Sequence, residues 1–280
     1  MKRFIFSGLL VLALFTPMYA WDILQPSGGR TNSLGKCSVA LKDFWSLHNN
    51  PAGISSFNNI SIGISYENRF LLKELGYKNV GLLLPLKNCV FGISASQFGY
   101  EHYNENIIGF ALARNFGPYL KIGLKLDYIF LKFSEDYENF STPTFELGIQ
   151  YEINENLNLG AYLFNPIHVK IRSINNSKIP IIMRLGFSYF IKDDFMITSE
   201  IEENIEENFS YRFGIEYECY KGFYIRSGFQ LTPKLFTFGI GYDYQWCRID
   251  VSGQMNQELG TSINCSLIFI INTKVYKEAA

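Results

Sequence analysis

The 280-residue chain has little of what most active sites are built from. Its three histidines, His48, His102 and His168, stand apart, and no Ser or Asp context near Glu101-His102 completes a catalytic set. The five cysteines, Cys37, Cys89, Cys219, Cys247 and Cys265, are odd in number, widely spaced and without a Cys-x-x-Cys. They indicate neither a disulfide framework nor a zinc site, and they read as isolated small apolar residues. There is no basic block, and 25 Lys and Arg stand against 26 Asp and Glu, so no nucleic-acid partner is expected. Past residue 20, no apolar stretch reaches the length of a spanning helix without a charge, a glycine or a turn signal, so any membrane span has to consist of strands. The chain is expected to be no enzyme and to need neither cofactor nor metal. The acidic run Glu202-Glu203-Asn204-Ile205-Glu206-Glu207 reads as a solvated loop rather than a cation site.

What is present starts with an export signal. Lys2 and Arg3 precede an apolar core over residues 4–15, Pro17 breaks it, and Met18-Tyr19-Ala20 offers a cleavage point before Trp21. No Cys follows Ala20, so lipid anchoring is not expected. Residues 1–20 are thus assigned to a signal peptide, and folding starts at Trp21.

From Asn59 the period is two. Leu120, Ile122, Leu124, Leu126, Tyr128 and Phe130 alternate with Lys121, Gly123, Lys125 and Asp127. Phe145, Leu147, Ile149 and Tyr151 alternate with Glu146, Gly148, Gln150 and Glu152, and Tyr211, Phe213, Ile215 and Tyr217 with Arg212, Gly214, Glu216 and Glu218. About fourteen such runs follow one another, starting near Ile60, Tyr77, Cys89, Asn106, Tyr119, Thr144, Leu157, Ile181, Phe195, Ser210, Phe223, Leu235, Cys247 and Thr261. Odd-numbered connections are the longer ones and even-numbered ones the shorter. A soluble sandwich shares the alternation. Strand length, loop alternation, the even count and aromatic run ends such as Tyr66, Tyr77, Phe98, Phe130 and Trp246 favour a barrel. The expected fold is all-β, a transmembrane antiparallel up-and-down β-barrel over residues 59–272 in a bacterial outer membrane, with a tail at 273–280.

One face of each run then meets lipid and the other the lumen. Lys121, Lys125, Asp127, Glu146, Arg212, Glu216, Arg226, Asp243 and Arg248 are the expected lumen charges. Tight turns at Tyr220-Lys221-Gly222 and Gln245-Trp246 put Glu216 opposite Arg226, Gly214 opposite Gly228 and Asp243 opposite Arg248. On this assignment Lys125→Ala is expected to be mild, whereas an arginine on the lipid face is not.

Residues 21–58 do not alternate. Gly28-Gly29 reads as a flexible start, and Val39 to Leu47 as a short helix ending near Asn49-Asn50. Ser33-Leu34-Gly35 and Asn50-Pro51-Ala52-Gly53, placed just before the first strand, resemble the long-chain fatty-acid outer-membrane transporters (FadL-type). The resemblance is closer to their PorV/PorQ-like relatives of type IX secretion bacteria. Lys36 stands where relatives often have a second glycine. The resemblance implies a fourteen-stranded barrel with residues 21–58 folded into its lumen as a hatch. The apolar group Val39, Leu41, Phe44, Trp45 and Leu47 would be buried against the inner wall. It implies passage of small hydrophobic compounds through a hatch-gated barrel, with two alternatives: an accessory part of a secretion or surface-assembly system, or a structural protein without transport. The expected partners are outer-membrane lipids, and either a hydrophobic small molecule or secretion-system proteins.

This topology is open to direct test. After masking of the native thiols, cysteines at Ser173 or Asn204 are expected to be labelled on intact cells, and cysteines at Glu155 or Asp193 only after the outer membrane is permeabilised. The reverse pattern overturns the orientation, and uniform labelling overturns the barrel.

Overall fold

The computed structural model describes residues 22–133, 139–167, 179–204 and 209–271. The signal at 1–20, the tail at 273–280, His168, Ser173 and Glu206-Glu207 lie outside the described residues.

Fourteen antiparallel strands close into one barrel. They are β1 (Ile60–Asn68), β2 (Gly76–Pro85), β3 (Val90–Tyr100), β4 (Tyr103–Phe116), β5 (Leu120–Phe133), β6 (Phe140–Glu152) and β7 (Leu157–Phe164), followed by β8 (Ile182–Lys192), β9 (Phe195–Asn204), β10 (Ser210–Tyr220), β11 (Phe223–Gln230), β12 (Leu235–Tyr244), β13 (Cys247–Asn256) and β14 (Gly260–Ile271). Each strand pairs with its sequence neighbours, and β1 pairs with β14 from Ile60↔Ile271 to Asn68↔Ile263, so no edge is left unpaired. No described helix is long and apolar enough to span a bilayer.

Most strands start within one residue of the run that signals them. The exceptions are β4 and β6, which start at Tyr103 and Phe140 rather than near Asn106 and Thr144. Their first outward positions carry Asn104, Asn106 and Ser141, so the apolar half of the alternation is missing there. For the same reason the third connection is the two-residue turn Glu101-His102 and not a longer loop.

All three cross-strand pairs stand in the register the turns predict: Glu216↔Arg226, Gly214↔Gly228 and Asp243↔Arg248. The first turn differs in detail. Tyr220 pairs with Phe223, Lys221-Gly222 forms the bend, and a bulge between Glu218 and Tyr220 absorbs the extra residue.

The wall is inside-out relative to a soluble protein. Phe238 is 52% exposed and Arg226 only 2%. Ile62, Leu126, Phe213, Phe236 and Ile240 point outward, while Ser61, Gln150, Arg212 and Asn264 are buried within. An apolar surface that encircles the molecule is far larger than a water-soluble monomer exposes, and it fits a membrane-spanning barrel. Tyr77 and Phe98, read from the sequence as interfacial rings, instead face the lumen, where the Arg69 guanidinium sits 5.0 and 4.9 Å from their centroids.

An outward charge should therefore be costly. Phe213→Arg is expected to impair insertion by about 2–4 kcal/mol at the midplane. A refolding titration into lipid vesicles checks this, and an unchanged midpoint would reverse the inside–outside assignment.

Candidate functional site

The candidate site is the lumen, and the chain's own residues 22–58 fill it. This segment holds two short helices, α1 (Gly29–Ser33) and α2 (Ser46–Asn49), and a 3-10 turn over Pro51–Ser56. From Thr31 to Asn50 every residue is buried except Lys42 and the half-buried His48.

The inner wall is shaped for the segment by glycines. A Cβ at Gly228 would lie 2.1 Å from the Gly35 nitrogen, at Gly123 2.3 Å from the Pro51 carbonyl carbon, and at Gly160 2.3 Å from the Val39 oxygen. Gly63 and Gly92 leave room in the same way for the Phe44 ring and the Leu47 methyl, each 2.4 Å from an added Cβ. Backbone thus lies directly on backbone.

So irregular a chain can be buried because wall side chains satisfy its peptide groups. The Glu200 carboxylate accepts from the Ser38 and Val39 amides, both at 2.7 Å. Gln150 donates to the Val39 and Leu41 carbonyls at 3.0 and 2.9 Å, and Asn158 to Ala40 at 2.7 Å. Thr237 accepts from Gly35 and donates to the Ser33 carbonyl. These bonds compete with helix formation, so the helix expected from Val39 to Leu47 is confined to Ser46–Asn49. Gly28-Gly29 is not a flexible start either: both are buried, and the Trp45 ring lies 2.3 Å from where a Cβ of Gly28 would be.

Asn50-Pro51-Ala52-Gly53 fastens the end of the segment. Asn50 caps the 3-10 turn by accepting from the Ala52 amide, with Pro51 at the first helical position, where its missing N–H costs nothing. Its amide donates to the Val39 carbonyl at 2.6 Å and reaches the wall carbonyls of Ile149 and Ala161. Phe44, Trp45 and Leu47 pack with Ile54 and with Leu83, Val90, Ala111 and Ala113 of the wall. Leu41 joins Leu34, Cys37 and Met196, and Val39 joins the cluster that holds Ile23, Phe98 and Ile129.

The charges form linked pairs. Lys125 meets Asp127 and Glu146 at 3.1 and 2.9 Å, Lys121 meets Glu152 at 2.6 Å, and Arg212 meets Glu200 and Glu202 at 2.7 and 2.5 Å. Glu216 binds both Arg226 and the segment's Arg30, and Arg226 reaches Asp250 at 2.7 Å. Arg248 pairs with Asp250 at 3.3 Å. Asp243 is the exception among the nine expected lumen charges. It lies close to the turn, its side chain is 39% exposed, and it stands 3.9 Å from Arg248.

The expectation of a mild Lys125→Ala also changes. Lys125 is buried between two carboxylates, and removing it strands both, at a cost of about 3–5 kcal/mol for a broken buried pair.

Arg30, Asp43, Arg184, Glu200, Glu202 and Asp250 were not among the expected lumen charges. Arg30 and Asp43 sit in the segment without period. Glu202 belongs to β9, where it pairs with Arg184 and Arg212, and is not part of a solvated loop. The alternation Met196, Thr198, Glu200, Glu202 carries that signal. Burial disfavours the Arg30 charge, but Glu216 and Asp43 outweigh it and raise its pKa. Burial lowers Lys36 to about 8, and burial together with Lys125 lowers His48 to about 3, so His48 is neutral near pH 7.

Toward the end with the longer connections, the outer end on the topology expected from the sequence, the inner wall becomes apolar: Phe98, Ile107, Ile129, Leu131, Phe164 and Ile182. Ile23 of the segment occupies this chamber, its amide donating to Glu105 at 3.0 Å and its carbonyl accepting from the Tyr77 hydroxyl at 2.9 Å. A cavity of about 20 Å³ remains beside Ile23, His48, Lys125 and Tyr162, room for about one water.

No family model matches the sequence, and no curated protein matches it either. Solved structures do. The monoaromatic hydrocarbon channel CymD superposes with a TM-score of 0.67 at 12% identity, covering 90% of this chain and 99% of that one. The Ralstonia pickettii toluene transporter TbuX gives 0.66 at 11% identity over 88% and 98%, and a Pseudomonas aeruginosa FadL homologue gives 0.59 at 10% over 87% and 97%. At such identities the likeness is one of fold.

The glycine contacts predict a selective defect. Gly160→Ala is expected to leave the barrel folded, judged by its heat-modifiable mobility, but to loosen the segment by about 1–3 kcal/mol of overpacking. Limited proteolysis should then cut within residues 22–58. Ala161→Val, on the opposite face of the same strand, should leave the pattern unchanged, and equal protection of both variants would refute the close fit.

Proposed function

We propose that this protein passes small hydrophobic compounds across a bacterial outer membrane, and that residues 22–58 are the hatch that closes its barrel. The observation that carries the reading is the apolar chamber at the outer end. Six inward apolar side chains line it, and its occupant is an isoleucine from the chain itself. A hydrocarbon of similar size would find the same burial if Ile23 withdrew, at the loss of two hydrogen bonds that water can replace. The charged belt below interleaves acids and bases in shared clusters, so it orders the hatch without presenting one sign of charge to an ionic solute. The structural neighbours named as hydrocarbon channels and a toluene transporter support the same substrate class.

A PorV/PorQ-like accessory role in secretion is the second reading. It is favoured by short outer-end turns such as Glu101-His102 and by the exposed Leu71 and Leu72 beside them, which a protein partner could cover.

Cells carrying the protein are expected to take up radiolabelled toluene faster than cells without it, with glucose entry unchanged. Deleting residues 25–44 is expected to leave a folded barrel and to raise single-channel conductance in planar bilayers. Equal toluene entry would remove the transport reading, and an unchanged conductance would remove the hatch. Stoichiometric co-purification of a surface protein, without toluene entry, would favour the accessory role.

A further inference from the structure

The lipid-facing wall is apolar strand after strand, as in Phe236, Phe238, Ile240 and Tyr242 of β12. It is interrupted across β2, β3 and β4. There one cross-strand row of outward positions reads Tyr66↔Lys78↔Gln97↔Asn106↔Phe130, a polar centre between two rings. The row on its membrane side reads Ile64↔Val80↔Ala95↔Ile108, all apolar, with the small Ala95 in the middle. Both rows line a concavity of about 1050 Å³ on the outside of the barrel.

Among the described residues no acidic side chain balances the polar centre. Lys78 donates to the Gln97 amide oxygen at 3.2 Å, and Asn106 to Asn104 at 2.6 Å. Lys132, also outward, borders the same concavity, and none of its described lining residues is acidic. Most cations inside the barrel have a carboxylate, yet these two lysines face the lipid side with none among the described residues. A lysine facing lipid is costly toward the midplane and cheap only near the interface or against an anion.

We infer that this concavity is a seat for one acyl lipid with an anionic headgroup. The headgroup is held by Lys78, Lys132 and the amides of Gln97 and Asn106, between the Tyr66 and Phe130 rings, and an acyl chain lies over Val80, Ala95 and Ile108. The ligand class follows from the order of the two rows, cationic toward the outer end and apolar toward the membrane interior, which matches a lipid standing in its own leaflet. The site lies on the opposite side of the wall from the hatch, and the inference does not rest on the transport reading.

Native mass spectrometry of the full exported chain in detergent tests it, with phosphatidylglycerol and phosphatidylcholine offered separately at equal concentration. One phosphatidylglycerol is expected to be retained in preference to phosphatidylcholine. Lys78→Ala and Lys132→Ala are each expected to weaken that retention about fivefold, the equivalent of one lysine beside an anionic lipid. Ala95→Phe fills the floor and should remove both lipids. All three changes lie on the outer surface, and heat-modifiable mobility confirms folding; should Ala95→Phe fail to fold, the lysine variants decide. Equal retention of the two lipids by the unaltered protein, retention insensitive to the lysine variants, or a dimer mass in place of bound lipid would overturn the proposal.

Discussion

The architecture depends on backbone lying against backbone inside the barrel. A closed ring of fourteen strands leaves a lumen, and close packing within it requires that the wall have no side chains where the inner segment touches. Gly123, Gly160, Gly214 and Gly228 meet that demand from four different strands, each against main-chain atoms that cannot turn aside as a flexible side chain would. The glycines fix how near the segment lies, and that nearness brings Gln150, Asn158, Glu200 and Thr237 within hydrogen-bond reach of its peptide groups.

Electrostatics then works within this fit. Desolvating a charge is costly unless a partner is at hand, and the interior meets the cost by chaining acids to bases across adjacent strands. Arg30 ties the segment to the chain by way of Glu216, which also holds Arg226, so wall and segment share one network. Removing one member of such a network strands its partners, while the apolar contacts of Phe44, Trp45 and Leu47 supply the burial.

The barrel was legible in the sequence because a strand with lipid on one side and a lumen on the other must alternate. Its register was legible wherever the turn was tight, as at Gln245-Trp246. Legibility failed where outward residues turn polar, at Asn104, Asn106 and Ser141, because the period persists in the backbone but not in the hydropathy. It failed again for residues 22–58. There the conformation is set by wall side chains more than a hundred positions away, and local propensity suggests a longer helix than the wall permits. The alternate glycines were visible as a pattern. What they accommodate was not, since the contact joins distant parts of the chain.

The pairing of β1 with β14 joins residues some two hundred positions apart, and it is the seam of the ring. The segment that fills the ring precedes β1 directly, yet it touches glycines on strands from β1 to β12. Threading it into a finished cylinder would mean dragging Trp45, Arg30 and Asp43 past a wall already packed to contact distance. Segment and wall fit together with least obstruction while the β1–β14 seam is still open, even though the wall's own ladder of strand pairs does not need the segment. A long-range closure of this kind is intrinsically slow, which leaves time for the segment to settle before the last hydrogen bonds form.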